Sequence, residues 1–162
     1  MIYTKLHKPI ACISLLISTA VVYAQNVTLP NAYAHNDYWH KRPLLDALDN
    51  GFTYIEADIY LRNDKLIVAH YLPCIQKKRT LEALYLKPLL NYVEGNIKSE
   101  KEDEKKLNDC PLTLMIDIKS DANKTYKALV LLLDKYKSIL SVYENGKLKL
   151  RMVTIVITGH KP

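Results

Sequence analysis

The sequence predicts an α/β fold built on a parallel sheet, and two observations carry that expectation. Short segments rich in β-branched and aromatic residues alternate with amphipathic stretches of helical spacing, the pattern of βα units. The run Leu112 to Ile118 is apolar apart from Thr113 and one carboxylate, and reads as a strand buried on both faces, as strands of parallel sheets are.

Asn31 to Ala34 is apolar enough for a first strand that stops at His35. Leu44, Leu45 and Leu48 follow Pro43 and precede Gly51, so a short helix opens at proline and closes at glycine. Phe52 to Leu61 reads as a strand, Asn63-Asp64 as a turn, and Leu66 to Ala69 as a second extended segment delivering His70. A helical pattern runs from about Leu81 to Val93. The charged stretch Glu94 to Asp109, almost without large apolar residues, reads as a solvated insertion loop. After the strand ending at Ile118, an amphipathic helix is expected over 122–140, then a turn at Asn145-Gly146 and a strand over 150–157.

The first residues combine Lys5 and Lys8, a 13-residue apolar run from Ile10 to Val22, and the small-residue end Val22-Tyr23-Ala24. That is the pattern of a signal peptide cleaved after Ala24, and the run is short of the roughly 20 residues of a spanning helix. A secreted or periplasmic protein of residues 25–162 is the expectation. Cys12 precedes most of the apolar run and leaves with it. Cys74 and Cys110 remain in an oxidising compartment as candidates for one disulfide, whose geometry the sequence leaves open.

The net charge is +6; losing Lys5 and Lys8 against an unchanged 17 acids leaves +4. The compact basic cluster Lys77-Lys78-Arg79 has no interleaved aromatic residues, so nucleic acid is not an expected partner, whereas phosphate esters and anionic head groups suit it. A peripheral contact with a membrane surface fits the same charge.

Polar groups stand where a buried strand is ordinarily apolar or where it ends: His35, Glu56, Asp58, His70 and Asp117. Glu56 and Asp58 are two apart, hence on one side of a strand. A divalent cation, Ca²⁺ or Mg²⁺, would relieve the repulsion of two such carboxylates. Asp117 supplies a third oxygen ligand from another strand, where a lone carboxylate would be costly. Lys119 falls on the same side as Asp117. Tyr38, Trp39 and His40 either border a pocket or form an aromatic cluster over the helix end.

His35-Asn36-Asp37, Pro43-Leu44 with Ala47-Leu48 and Gly51-Phe52, Ile55-Glu56-Ala57-Asp58-Ile59 and Leu66-Ile67-Val68-Ala69-His70 together resemble the opening of the glycerophosphodiester phosphodiesterase family. Met115-Ile116-Asp117-Ile118-Lys119 is similar to its next acidic strand, in the Asp form that also resembles sphingomyelinase D enzymes of that superfamily, which includes phosphatidylinositol-specific phospholipase C. The resemblance covers 31–119 and extends weakly to Thr158-Gly159. Asn36-Asp37 stands where members commonly have Arg-Gly, Tyr71 stands where an Asp usually follows the second histidine, and the Glu-Asn-Thr triplet is missing.

The resemblance implies a TIM-type (β/α) barrel, of which this chain is the N-terminal part with about half the strands, since a whole barrel takes about 250 residues. It implies a metal-dependent phosphoric diester hydrolase acting on glycerophosphodiesters or phospholipid head groups. Glu56, Asp58 and Asp117 would hold the metal, His35 and His70 would divide general acid and general base, and Lys119 would stabilise the phosphoryl oxygens. The alternatives are a non-catalytic module binding phosphorylated ligands, or a truncated, inactive product.

Overall fold

The structure is a computed structural model, which describes residues 27–71, 76–95 and 110–162. The expected signal peptide, the cysteine pairing with Cys74 and most of the charged stretch 94–109 lie outside the described residues. Strand β1 (Leu29–Ala34) leads through a 3₁₀ turn at Asp37–Trp39 to helix α1 (Leu45–Asp49). Strand β2 (Phe52–Arg62) forms a hairpin with β3 (Lys65–Val68). A π-helical stretch, Glu82–Leu86, runs into α2 (Lys87–Val93), followed by β4 (Leu112–Ile118), α3 (Ala122–Asp134), the hairpin of β5 (Val142–Glu144) with β6 (Lys147–Lys149), and β7 (Val153–Gly159).

The central strands are parallel in the order β1-β2-β4-β7, with β3 antiparallel on β2. The architecture is therefore α/β, as the alternation of elements predicted. Among the described residues the sheet is open, with β1 and β7 at its edges. The expected helix over 122–140 ends at Asp134: turns follow, and the Tyr136 ring is buried in the core. The Asn145-Gly146 turn belongs to a separate hairpin, so the last strand starts at Val153, later than expected. Gly146 has φ 74° and Asn145 φ 51°, the left-handed pair that closes a two-residue hairpin.

The period-2 geometry of strands divides the sheet into two unlike faces. Ile55, Ala57 and Ile59 of β2 and Leu112, Leu114, Ile116 and Ile118 of β4 are buried in one core with Leu48, Leu86, Leu89 and Leu129 from the helices. The alternate residues turn the other way: Tyr54, Glu56 and Asp58 from β2, and Thr113, Met115 and Asp117 from β4. β4 is thus buried on one face only, where the sequence suggested two. Exposed apolar residues on the second face are Tyr33, Tyr54 and Val156.

Ile116 is fully buried in the middle of the core face. Ile116→Ala should cost about 2–5 kcal/mol of stability, measured as a lowered urea midpoint at unchanged slope.

Candidate functional site

The register of β2 on β4 builds the site. Asp58 pairs directly across from Asp117, and Glu56 sits one pleat earlier on the same face. Ligand oxygens of Glu56, Asp58 and Asp117 lie within 4.8 Å of one another. Glu56 is 6% and Asp58 1% exposed, so water does little to screen these two charges, while Asp117 is partly exposed.

The surroundings supply partial compensation. Lys119, just past β4 and held by a bond from its N–H to the Ile59 carbonyl, places Nζ 2.8 Å from Asp117 Oδ2 and 3.6 Å from Asp58 Oδ1. Burial works against its charge, but the hydrogen bond to Asp117 and the charges of Asp58, Asp117 and Glu56 win and raise its pKa above the usual lysine value. His70, delivered by the chain beyond β3, sets Nδ1 3.0 Å from Asp58 Oδ2. His35, just after β1, sets Nε2 3.4 Å from Glu56 Oε2. Both imidazoles remain open to solvent, 63% exposed for His35 and 45% for His70. The structure therefore brings together all six residues singled out in the sequence: His35, Glu56, Asp58, His70, Asp117 and Lys119.

Four further residues complete the site: Tyr38, which the sequence offered as a possible pocket border, and Asn36, Asp37 and Gly159, which it gave only as parts of the motif. Asn36 adopts the left-handed conformation, φ 54°, which asparagine tolerates, and its N–H donates to Glu56 Oε2 at 3.1 Å. Tyr38 is 2% exposed and turns inward from the 3₁₀ turn; its hydroxyl lies 2.7 Å from Asp58 Oδ2, 2.5 Å from Asn36 Oδ1 and 3.2 Å from His70 Nδ1. Burial, then the hydrogen bond and charge of Asp58, push its pKa far above the ordinary tyrosine value. Trp39 and His40 beside it are exposed and take no part. Gly159, φ 73°, closes β7 against Asp117: a Cβ there would overlap Asp117 Oδ1 and the Ile118 carbonyl. Asp37 is wholly buried beneath the site, where Oδ2 accepts from Leu44 N–H at 2.6 Å and from Tyr85 O–H at 3.0 Å. That bond holds Leu44 at φ 66°, a strained conformation for a branched side chain, and fixes the loop carrying His35 to Tyr38. The only signal for Asp37 was its place in the motif, two residues after a strand-end histidine. Gly159 stood in the weakest part of the motif.

Two oxygens of the triad, Asp58 Oδ1 and Asp117 Oδ1, are buried without a hydrogen-bond donor among the described residues, as is Asp37 Oδ1 beneath it. Buried acceptors of this kind are costly unless a cation takes them, and three hard oxygen ligands at this spacing suit a hard divalent ion. The residues present thus fit Ca²⁺ or Mg²⁺ on structural grounds.

A sequence profile described as the AIM6-like phosphodiesterase domain matches residues 22–162. This chain belongs to that family. Among curated members of the AIM6-like family, altered inheritance of mitochondria protein 6 of Kluyveromyces lactis is 35% identical over 167 residues, covering 85% of this chain and 40% of the relative. The protein of the same name from Eremothecium gossypii is 35% identical over 150 residues, 83% of this chain and 38% of its own. The homolog from Arthroderma benhamiae is 31% identical over 149 residues, 80% and 47%. This chain therefore spans less than half the length of these AIM6-like relatives. No solved structure matches it.

Asp37 yields a prediction about pH. Burial raises its carboxyl pKa above the ordinary value, against the lowering effect of the bonds from Leu44 and Tyr85. The folded state therefore holds this proton more tightly than the unfolded chain. Stability from Asp37 is greatest at acid pH and is lost as pH rises from the ordinary carboxylate range through the raised folded value. The difference in unfolding free energy between wild type and Asp37→Asn, from urea melts at a series of pH values, should fall across that window and level off above it.

Proposed function

We propose that this chain carries the metal-binding and acid-base groups of a metal-dependent phosphoric diester hydrolase related to the glycerophosphodiester phosphodiesterases and phospholipase C-like enzymes, secreted or periplasmic, and acting on glycerophosphodiesters or phospholipid head groups. The observation that carries this reading is the convergence of three carboxylates within 4.8 Å, flanked by two solvent-open histidines and one lysine. Membership of a phosphodiesterase family supports it. The parallel sheet with helices on one face and acids on the other fits the N-terminal part of a (β/α) barrel, whose active site stands at the carboxyl ends of the strands.

Glu56, Asp58 and Asp117 would hold Ca²⁺ or Mg²⁺. When bound, the cation would neutralise the phosphate and orient it. His35 stands beside Glu56 and His70 beside Asp58. One takes the proton from an attacking hydroxyl of the substrate, and the other gives a proton to the departing oxygen. Lys119 faces the same space and balances negative charge on the phosphoryl oxygens. The open face of the sheet around Tyr33 and Tyr54 offers contact to the rest of the substrate. A phospholipid substrate would bring the chain to a membrane surface; among the described residues no helix is long and apolar enough to cross one.

The test is release of nitrophenol from a nitrophenyl phosphoglycerol by the 162-residue chain, with and without a chelator. The expected result is turnover that Mg²⁺ or Ca²⁺ restores after chelation and that His35→Ala or His70→Ala lowers by about 10²- to 10⁴-fold. Turnover indifferent to chelator and to both substitutions would contradict the reading. Cation and phosphodiester binding without any turnover would favour a binding module.

A further inference from the structure

We propose that Asn36 and Tyr38 are positioning residues that hold the proton of both histidines on Nδ1 and leave both Nε2 atoms to the substrate. Four contacts in series connect the two rings. His35 Nδ1 is 2.9 Å from Asn36 Nδ2, Asn36 Oδ1 is 2.5 Å from the Tyr38 hydroxyl, and that hydroxyl is 2.7 Å from Asp58 Oδ2, which is 3.0 Å from His70 Nδ1.

Counting protons along this series decides the orientation of the Asn36 amide. A tyrosine hydroxyl has one proton, and a carboxylate oxygen has none. With Oδ1 of Asn36 and Oδ2 of Asp58 both against the Tyr38 oxygen, one of two short oxygen–oxygen contacts lacks a proton. Turning the amide by 180° exchanges two atoms of nearly equal size and removes the conflict. The Asn36 NH₂ then donates to the Tyr38 oxygen, Tyr38 O–H donates to Asp58, and Asn36 Oδ1 becomes the acceptor facing His35. Each short contact then contains one proton.

The arrangement has a consequence at each ring. His35 meets an acceptor at Nδ1 and must carry its proton there, so Nε2, 3.4 Å from Glu56 Oε2, faces the triad. His70 donates its Nδ1 proton to Asp58 Oδ2, so its Nε2 is also turned outward. Tyr38 and His70 together occupy Oδ2 of Asp58, which leaves Oδ1, without a hydrogen-bond partner among the described residues, as the oxygen that meets the cation. The Tyr38 carbonyl in turn accepts from the Arg79 guanidinium, which anchors the 3₁₀ turn.

The kinetic part of this inference rests on the phosphodiesterase reading; the tautomer part does not. Long-range ¹H–¹⁵N correlation spectra of the histidine rings in the 162-residue chain should show Nδ1–H for His35 and His70. In Tyr38→Phe, His35 should shift toward Nε2–H while His70, still bonded to Asp58, keeps Nδ1–H. Where turnover is measurable, Tyr38→Phe and Asn36→Ala should lower kcat by about 10- to 100-fold with KM little changed, the usual scale for partners of ligands and catalytic histidines. An Nε2–H tautomer of His35 in the wild-type chain overturns the proposal, whether or not the protein hydrolyses anything. So does a Tyr38→Phe variant whose ring spectra match the wild type.

Discussion

Three carboxylates held by two paired strands on one face of a sheet repel one another, and much of the structure around them answers that repulsion. Two unit charges 4 Å apart interact by about 4 kcal/mol at the effective dielectric of a protein surface. The cross-strand pairing of Asp58 with Asp117 makes the repulsion unavoidable, because neither side chain can leave without breaking the register of β2 on β4. Lys119 offsets part of it, and Tyr38 and the Asn36 N–H each give a hydrogen bond to one member of the triad. Two buried oxygens still go without a donor. The divalent cation proposed for this site would satisfy both.

The same sheet shows why the site can tolerate this strain. One face is a continuous aliphatic core from β2, β4 and the helices, which fixes strand positions to within a pleat. The other face carries the chemistry and leaves Tyr33, Tyr54 and Val156 open. This chain spans less than half the length of the AIM6-like relatives it matches. A barrel would place that open face in its interior, which fits the proposed fold and accounts for large apolar groups beside buried acids.

Much of the site was legible in the sequence because strand alternation is a strict rule. Glu56 and Asp58 had to share a side, and Asp117 broke an otherwise apolar run, so the triad followed once β2 and β4 were recognised as strands. Strand ends marked His35 and His70, but their acid-base roles came only through motif resemblance, since a histidine at a strand end has many ordinary uses. The roles of Asn36, Tyr38, Asp37 and Gly159 were not legible for a different reason. Their roles depend on a left-handed residue, a 3₁₀ turn and a strained Leu44, none of which has a periodic signature. The helix boundary at Asp134 was missed because apolar residues continue past it at helical spacing, although Tyr136, Ile139 and Leu140 reach the core from turns.

The central claim is that the carboxylate triad binds one divalent cation. Isothermal titration of the metal-stripped 162-residue chain with Ca²⁺ and with Mg²⁺ tests it directly, alongside Asp117→Asn and Asp58→Asn. The account predicts saturable binding of one ion per chain that either substitution abolishes or weakens at least about tenfold, as loss of a charged oxygen ligand should. A well-folded wild-type chain that takes up neither ion at millimolar concentration, or binds it equally well without Asp117 and Asp58, would contradict it.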